Sequence, residues 1–192
     1  MDIPHQTWIE TQSGVKFELS DPDPDSVALC DITHALGKLC RFTGHTSRFY
    51  SVAEHSIHVA SLVPEELRLA ALLHDAAEAY IGDLSTPLKM LISETGPLLK
   101  VTENKILSAV WKKFGISLTA ENLIVIHEAD IRVLLAERRF FLGRLDWGWG
   151  EEIRPAAIKF MRLDPDLAAD TFRQEIESAI LRRYDAVRET TK

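Results

Sequence analysis

The spacing of apolar residues predicts a mostly helical chain that begins with a short β-hairpin. Residues 7–11 and 15–19 alternate between apolar and polar side chains around Gln12-Ser13-Gly14, which is typical of two strands joined by a tight turn. From Ser26 onward, apolar residues recur at helical spacing. We expect helices over residues 26–40, 51–62, 65–80, 86–93, 97–114, 119–142 and 165–187.

The helical pattern is interrupted once near the C-terminal third of the chain. Residues 143–150 break it, and Trp147 and Trp149 in this segment are candidates to cover a pocket or to contact a partner chain. No repeat or second domain is visible. The pattern therefore predicts an all-α single domain over residues 1–192, with residues 1–25 as a hairpin and turn extension.

Composition agrees with an ordinary globular domain. The 192 residues are 46% hydrophobic, which is enough to build a core without covalent crosslinks. Cys30 and Cys40 are too few for a disulfide framework and fit a reducing compartment. No apolar stretch reaches membrane-spanning length, and the N-terminus lacks the basic and apolar regions of a signal peptide. We expect a cytoplasmic protein that does not contact a membrane.

Charge limits the class of partner. A net charge of −7 argues against a protein whose main task is to grip a nucleic-acid polymer, because such proteins usually present a basic face. A small anionic ligand is compatible with this charge, since it needs only a local positive pocket.

An ionisable pair in an apolar segment is the clearest chemical feature. His74 and Asp75 directly follow the apolar helical run of residues 67–73. Burying an isolated carboxylate is costly unless a cation or a hydrogen-bonding partner compensates for the lost hydration. A divalent metal ion is the natural candidate.

Two further residues interrupt apolar helical patterns in the same way, namely His55 and Asp130. Pro64 marks the start of a helix after the one that carries His55, so these two helices should pack as an antiparallel hairpin with His55 facing His74. Two imidazoles and two carboxylates suit one divalent ion such as Mn, Co, Fe, Zn or Mg and leave positions open for water and substrate. Open positions indicate catalysis.

These residues carry a resemblance to a known family. The set His55, His74-Asp75 and Asp130 resembles the H…HD…D signature of the HD-superfamily metal phosphohydrolases. Residues 51–56 and 74–89 resemble the S-E-H-S and H-D-x-x-E-x-x-x-G-D-x-x-T-P-x-K stretches of bacterial 5′-deoxynucleotidases and of their phage-type deoxynucleotide triphosphohydrolase relatives. The resemblance covers about half of the chain.

The resemblance implies an HD-domain helical bundle, a homodimer and a set of metal ligands. The implied ligands are His55, His74, Asp75 and Asp130, with Glu78 handling the attacking water. Elementary chemistry agrees, because Glu78 lies three residues after Asp75, so both carboxylates would share one helix face. A metal there lowers the pKa of water and polarises a phosphoryl oxygen.

The resemblance also implies a set of substrate contacts. Arg41 would hold phosphate and Phe42 would lie against the sugar or base, while Arg48 and Lys89 are further candidates for phosphate. Asp83 would accept a hydrogen bond from a sugar hydroxyl, which also makes it a candidate active-site residue. Arg41 and Arg48 could instead be surface cations, and Phe42 could belong to the core.

Two more histidines are weaker candidates for metal ligation. His58 lies three residues after His55 and could ligate a second ion, and His127 lies three residues before Asp130. For both, a hydrogen-bonded or exposed histidine is the favoured interpretation.

The sequence favours a metal-dependent 5′-(deoxy)nucleotidase that releases phosphate from a nucleoside monophosphate. A (deoxy)nucleoside triphosphate phosphohydrolase could use the same site. Two hypotheses from other classes remain, a catalytically silent module that senses a nucleotide and a purely structural helical dimerisation protein. The structural hypothesis leaves the buried polar set as an unexplained energetic cost.

Overall fold

The computed structural model describes residues 6–142 and 152–190 of the chain. The described residues are mostly helical and begin with a two-stranded antiparallel hairpin, which confirms the predicted all-α class with its N-terminal hairpin. Trp147 and Trp149, the predicted cover of a pocket or partner, lie outside these residues.

Eight α-helices occur within the described ranges. They are α1 (Leu29–Lys38), α2 (Val52–Ala60), α3 (Arg68–Leu72), α4 (Glu78–Ile81), α5 (Thr86–Ser93), α6 (Leu98–Lys113), α7 (Ala120–Phe141) and α8 (Pro165–Thr190). Five predicted helices are confirmed to within three residues at each end, and these are 51–62, 86–93, 97–114, 119–142 and 165–187. The first helix begins at Leu29 rather than Ser26, because residues 24–26 form a separate 3-10 turn that Asp23 caps. Within the same ranges, no helix combines the length and the apolar character needed to cross a bilayer.

The predicted continuous helix over residues 65–80 is wrong. The chain leaves α3 at residue 73 and passes through a turn over residues 73–77 before α4 begins. Within this turn the amide of Glu78 donates to the carbonyl of Asp75 at 2.9 Å, a three-residue separation tighter than the four of an α-helix. A regular helix would direct neighbouring side chains about 100° apart. The turn instead lets His74 and Asp75 approach the same point.

The N-terminal hairpin is part of the core. Strands β1 (Trp8–Glu10) and β2 (Lys16–Glu18) pair with Ile9 opposite Phe17. The Phe17 side chain is fully buried, and its ring stacks on Tyr80 of α4 with centroids 3.7 Å apart. The hairpin therefore supports the short helix that follows the His74-Asp75 turn.

Helix α1 is held from two sides. The backbone amide and hydroxyl of Ser13, in the hairpin loop, donate to the buried carboxylate of Asp31 at 2.8 and 2.7 Å. On its other side α1 packs closely against α8, where a Cβ added at Gly37 would lie 2.6 Å from the Cβ of Ala169. Glycine at position 37 is what allows this approach.

Helix α2 lies at the centre of the fold. All nine of its residues are buried, and it contacts α1, α3, α7 and α8. Ser51 caps its N-terminus by accepting a hydrogen bond from the amide of Glu54 at 3.1 Å. A polar side chain at the middle of α2 is therefore surrounded by protein on every side.

The segment between α1 and α2 folds back on itself before α2 begins. The amide of Arg41 donates to the carbonyl of Tyr50 at 2.9 Å, which fixes the base of the loop. Phe42 and Thr43 both adopt left-handed backbone conformations with φ of 54°. Such conformations are uncommon for residues other than glycine and cluster near functional sites. This left-handed turn carries Arg41 and Phe42 to the wall of a cavity.

Candidate metal centre

Side chains from three separate parts of the fold converge on one point. His55 comes from α2, His74 and Asp75 from the turn between α3 and α4, and Asp130 from α7. One ligand atom each from His55, His74 and Asp130 lies within 4.8 Å of the other two, so these three residues could hold a metal ion. The imidazole centroids of the two histidines lie 5.4 Å apart, so the predicted facing of His55 and His74 is confirmed.

Asp75, the fourth predicted ligand, contacts both histidines. Its Oδ2 atom lies 3.3 Å from His74 Nε2 and 3.6 Å from His55 Nε2, and Asp130 Oδ1 lies 3.2 Å from the same nitrogen of His55. Donor atoms that each lie about 2.0–2.2 Å from a shared ion are about 3 Å from one another. The observed separations are close to those of atoms arranged around a single ion.

Hydrogen bonds on the far side of each imidazole leave the converging nitrogens free to bind a cation. His74 Nδ1 lies 2.7 Å from the carbonyl of Ala71, and because a carbonyl only accepts, this nitrogen carries the proton. His55 Nδ1 lies 2.6 Å from a carboxylate oxygen of Glu137 and donates in the same way. Both Nε2 atoms are buried, and neither has a hydrogen-bond partner in the described part of the chain. Metal-binding histidines show this arrangement, so the residues present fit a divalent ion.

The charges around His55 favour an additional positive charge. Burial and the Arg41 guanidinium lower the pKa of His55, but the carboxylates of Glu137 and Asp130 outweigh them and raise it to about 10. Burial acts to raise the pKa of Asp130, but the contact with His55, 3.2 Å away, and the nearby charges of His74 and Arg41 hold it well below its usual range. A divalent cation between the ligands would supply the positive charge that protonation of His55 supplies here.

Glu137 is a site residue that the sequence analysis missed. It is fully buried on α7, and its Oε1 accepts hydrogen bonds from His55 Nδ1 and from the Tyr50 hydroxyl, each at 2.6 Å. Its Oε2 lies 3.2 Å from both Nε and Nη2 of Arg41. Burial acts to raise the pKa of Glu137, but the charges of Arg41 and His55 lower it to about 2. Glu137 lies two helical turns after Asp130, so the two side chains share one face of α7. The search for ionisable residues at apolar positions of a helix could therefore have identified Glu137 as well.

Two of the converging ligands, Asp75 and Asp130, border a cavity of about 700 Å³, whereas His55 and His74 lie behind its lining. Seven of the predicted site residues line it, and these are Arg41, Phe42, Asp75, Glu78, Asp83, Lys89 and Asp130. Its apolar lining includes Leu84, Ile131, Leu134 and Leu142. The cavity thus combines a polar end at the metal centre with an apolar surface that could contact a flat organic group.

Glu78 and Lys89 meet at the wall of this cavity. Lys89 Nζ lies 3.4 Å from Glu78 Oε1 and 2.8 Å from Glu103 Oε1 of α6. Burial, together with the charges of Asp75 and Asp83, raises the pKa of Glu78 to about 9. A cation beside Asp75 would offset that carboxylate and lower the pKa of Glu78 again.

Arg48 is not brought to the lining of this cavity. Its Nη2 atom donates to the carbonyl of Met161 at 2.7 Å, and its guanidinium lies 5.0 Å from the ring centroid of Phe141. These contacts tie the loop before α2 to the segment before α8. The geometry therefore gives Arg48 a packing role, and the expected contact with phosphate stays a prediction.

No family model matches the chain, but comparison with known proteins finds similar sequences. The uncharacterized protein YfdR of Escherichia coli K12 is 38% identical over 133 residues, which are 69% of this chain and 71% of YfdR. The uncharacterized protein RCAP_rcc00048 of Rhodobacter capsulatus is 38% identical over 120 residues, which are 58% of this chain and 60% of that protein. The chain belongs to the YfdR family.

The names of these relatives assign no activity to the YfdR family. The chemistry of this member depends on its own side chains. Its distinguishing features are the converging imidazoles and carboxylates, the cavity beside them and the cations on the cavity wall.

The two weaker histidine candidates of this YfdR-family chain lie outside the converging group. His58 is buried, with its ring 5.5 Å from Phe160 and its Nε2 3.7 Å from Glu54 Oε1. His127 is exposed on α7. In the described part of the chain, the only group of three or more candidate ligands is that of His55, His74 and Asp130. The arrangement therefore suits one metal ion rather than two.

Proposed function

We propose that the protein is an HD-superfamily, metal-dependent phosphohydrolase that releases phosphate from a nucleoside 5′-monophosphate, with deoxynucleotides as the favoured class. The observation that carries this proposal is the pair of buried Nε2 atoms of His55 and His74. Both nitrogens lack a hydrogen-bond partner within the described ranges, and both lie against carboxylates that line the cavity.

His55, His74, Asp75 and Asp130 would hold the metal. When bound, a divalent ion at this place supplies Lewis acidity toward a phosphoryl oxygen and makes hydroxide available near neutral pH. Glu78 would orient the attacking water and accept its proton, because one oxygen of its carboxylate is buried without a partner while the other is held by Lys89.

The remaining cavity residues have roles that follow from their chemistry. Arg41 and Lys89 would bind phosphoryl oxygens, since both present cationic N–H groups to the cavity. Phe42 is half-buried on the cavity wall, where its ring could contact the sugar or base. Asp83 would accept a hydrogen bond from a sugar hydroxyl.

The pairing of Arg41 and Lys89 with carboxylates favours a monophosphate over a triphosphate. Arg41 is already paired with Glu137 and Asp75, at 3.2 and 3.7 Å, and Lys89 is already paired with Glu78 and Glu103. A triphosphate carries about two more negative charges than a monophosphate and needs additional cations to neutralise them. The smaller anion therefore suits these paired cations better.

A screen of phosphate release tests the proposal. The protein would be stripped of metal, reconstituted separately with Mn²⁺, Co²⁺, Mg²⁺ or Zn²⁺, and assayed with ribo- and deoxynucleoside mono- and triphosphates. We expect metal-dependent release of inorganic phosphate from monophosphates, and no release by the Asp75→Asn variant, which should also retain metal poorly.

Other outcomes of the screen correspond to the alternatives. Release of a longer phosphate chain from triphosphates would establish the triphosphohydrolase in place of the nucleotidase. Nucleotide binding with no hydrolysis under any metal would identify a silent sensing module. Full activity of the metal-stripped protein or of Asp75→Asn would overturn the mechanism.

A further inference from the structure

One buried carboxylate contacts both halves of the proposed site. Glu137 accepts from a metal-ligand histidine through Oε1 and from the arginine on the cavity wall through Oε2. Both oxygens lie inside the protein, since Glu137 has no exposed surface. The metal centre and the phosphate-binding arginine are therefore joined by a single side chain.

The contact with His55 sets the direction of its ring. An imidazole that donates Nδ1–H to a carboxylate presents its Nε2 lone pair on the opposite side, which is where Asp75 and Asp130 lie. Such outer partners also raise the basicity of the ligating nitrogen. Removing the carboxylate would leave the ring without this restraint, although its position on α2 would not change.

The contact with Arg41 selects which of its nitrogens faces the cavity. Nε and Nη2 both lie 3.2 Å from Glu137 Oε2, so one edge of the guanidinium is occupied. Nη1 is left on the side of Asp75, 3.7 Å from its carboxylate. A guanidinium held along one edge loses less conformational freedom when its other edge binds an anion.

Tyr50 contacts both Glu137 and Arg41, and it lies at the other end of the loop that begins at Arg41. Its hydroxyl donates to Glu137 Oε1 at 2.6 Å, and its backbone carbonyl accepts from the amide of Arg41 at 2.9 Å. Arg41, Tyr50 and Glu137 thus form a closed ring of hydrogen bonds. This ring fixes the arginine through its backbone and its side chain together.

We propose that Glu137 is a positioning residue that orients His55 for metal binding and Arg41 for phosphate binding, with Tyr50 as its support. The assignment of phosphate to Arg41 rests on the proposed function, whereas the orientation of His55 requires only that the site binds a metal. Glu137 acts through its neighbours and does not touch the substrate.

The Glu137→Gln variant is the primary test, with Glu128→Gln as its matched control. Glu128 is exposed on the same helix, so the control carries the same chemical change without the contacts. In Glu137→Gln the amide nitrogen would compete with the donors of Arg41, His55 and Tyr50. We expect a rise of about 10–100-fold in the dissociation constant for Mn²⁺, measured by titration of the metal-stripped proteins. We expect a wild-type constant for Glu128→Gln.

Tyr50→Phe keeps the inference testable if Glu137→Gln does not fold. It retains the carboxylate charge and removes one donor, and Tyr184→Phe, at an exposed tyrosine, is its control. We expect Tyr50→Phe to weaken Mn²⁺ binding in the same direction by a smaller factor. A Mn²⁺ dissociation constant within twofold of wild type in every folded variant of Glu137 and Tyr50 would overturn the assignment to His55. None of these titrations requires turnover, so they remain informative if no nucleotide is hydrolysed.

A double-mutant cycle tests whether Glu137 orients Arg41 for phosphate binding. At saturating metal, Glu137→Gln and Arg41→Lys should each raise KM for a nucleoside monophosphate more than they lower kcat. If Glu137 acts on the substrate through Arg41, the two effects on KM should be strongly non-additive. Independent, multiplicative effects on KM would overturn the proposed effect of Glu137 on Arg41. The proposed effect of Glu137 on His55 is tested separately by the Mn²⁺ titrations.

Discussion

Lys89 Nζ lies 3.4 Å from Oε1 of Glu78, while Oε2 of the same carboxylate is buried without a hydrogen-bond partner in the described residues. One oxygen of Glu78 is thus held by a cation, and the other is left without a partner in the wall of the cavity. This asymmetry distinguishes Glu78 from the carboxylates that converge on the histidines. It suits a residue that handles water more than one that ligates metal.

Replacing Glu78 should separate catalysis from metal binding. In Glu78→Gln the side chain keeps its size and can still contact water, but it cannot accept a proton. We expect phosphate release to fall by about 10²–10⁴-fold, with metal content unchanged. Glu94→Gln, at an exposed position after α5, should match wild type in both assays. Loss of metal from Glu78→Gln would mean that Glu78 is a ligand instead.

Lys89 should act on substrate binding more than on the chemical step. It carries positive charge into the cavity and is held in place by Glu78 and Glu103. We expect Lys89→Gln to raise KM for a monophosphate with a smaller change in kcat, because a lost phosphate contact weakens substrate and transition-state binding alike. Lys89→Arg should restore part of the affinity. If steady-state kinetics give a wild-type KM for Lys89→Gln and only its melting temperature changes, Lys89 merely neutralises its acidic neighbours.

The pKa of Glu78 predicts a pH dependence of stability for the metal-stripped protein. Burial, Asp75 and Asp83 raise this pKa from 4.5 to about 9, against the opposing charges of Lys89 and Arg41. Between these values the folded chain keeps a proton that the unfolded chain has lost, so the free energy of unfolding should fall as pH rises. Denaturant unfolding at about pH 6 and about pH 8 measures this slope. His55, whose pKa is also raised, adds to the same fall. Glu78→Gln should therefore make the slope shallower by the share of one proton, and an unchanged slope would contradict the shifted pKa of Glu78.

The hairpin should contribute to the stability of the whole domain. Phe17 is fully buried and stacks on Tyr80, which lies on the short helix that follows the His74-Asp75 turn. We expect Phe17→Ala to lower the free energy of unfolding by about 3–5 kcal/mol, because it removes a large core side chain and leaves a cavity. Chemical denaturation measures this change, with Trp8→Ala, at a half-buried strand position, as the milder comparison. A loss below about 1 kcal/mol for Phe17→Ala would mean that the hairpin is only loosely attached.

Periodic features of the chain were predictable from the sequence. Alternation located both strands, and apolar spacing located α2, α5, α6, α7 and α8. The approach of His55, His74 and Asp130 was also predictable, because each interrupts an apolar pattern that must face the core. The homodimer and the cytoplasmic location stay predictions.

Features set by tertiary contacts were harder to predict. The break after α3 was missed, since residues 67–77 contain no proline or glycine and their local preference is helical. The turn there lets His74 and Asp75 face one point, which local propensity cannot signal. The packing of Arg48 against Phe141 depends on a distant segment of the chain in the same way. Tyr50 gave no specific sequence signal, because a tyrosine beside Phe49 resembles ordinary core.

The most direct test of the account is the amount of metal that the protein binds. Metal-stripped protein would be incubated with Mn²⁺ or Co²⁺, freed of unbound ion and analysed for metal per chain. We predict one ion per chain for wild type and for His127→Ala, an exposed histidine on the helix of Asp130, and large losses for His74→Ala and Asp130→Asn. Equal metal content in wild type, His74→Ala and Asp130→Asn would contradict the central claim that these side chains share one cation.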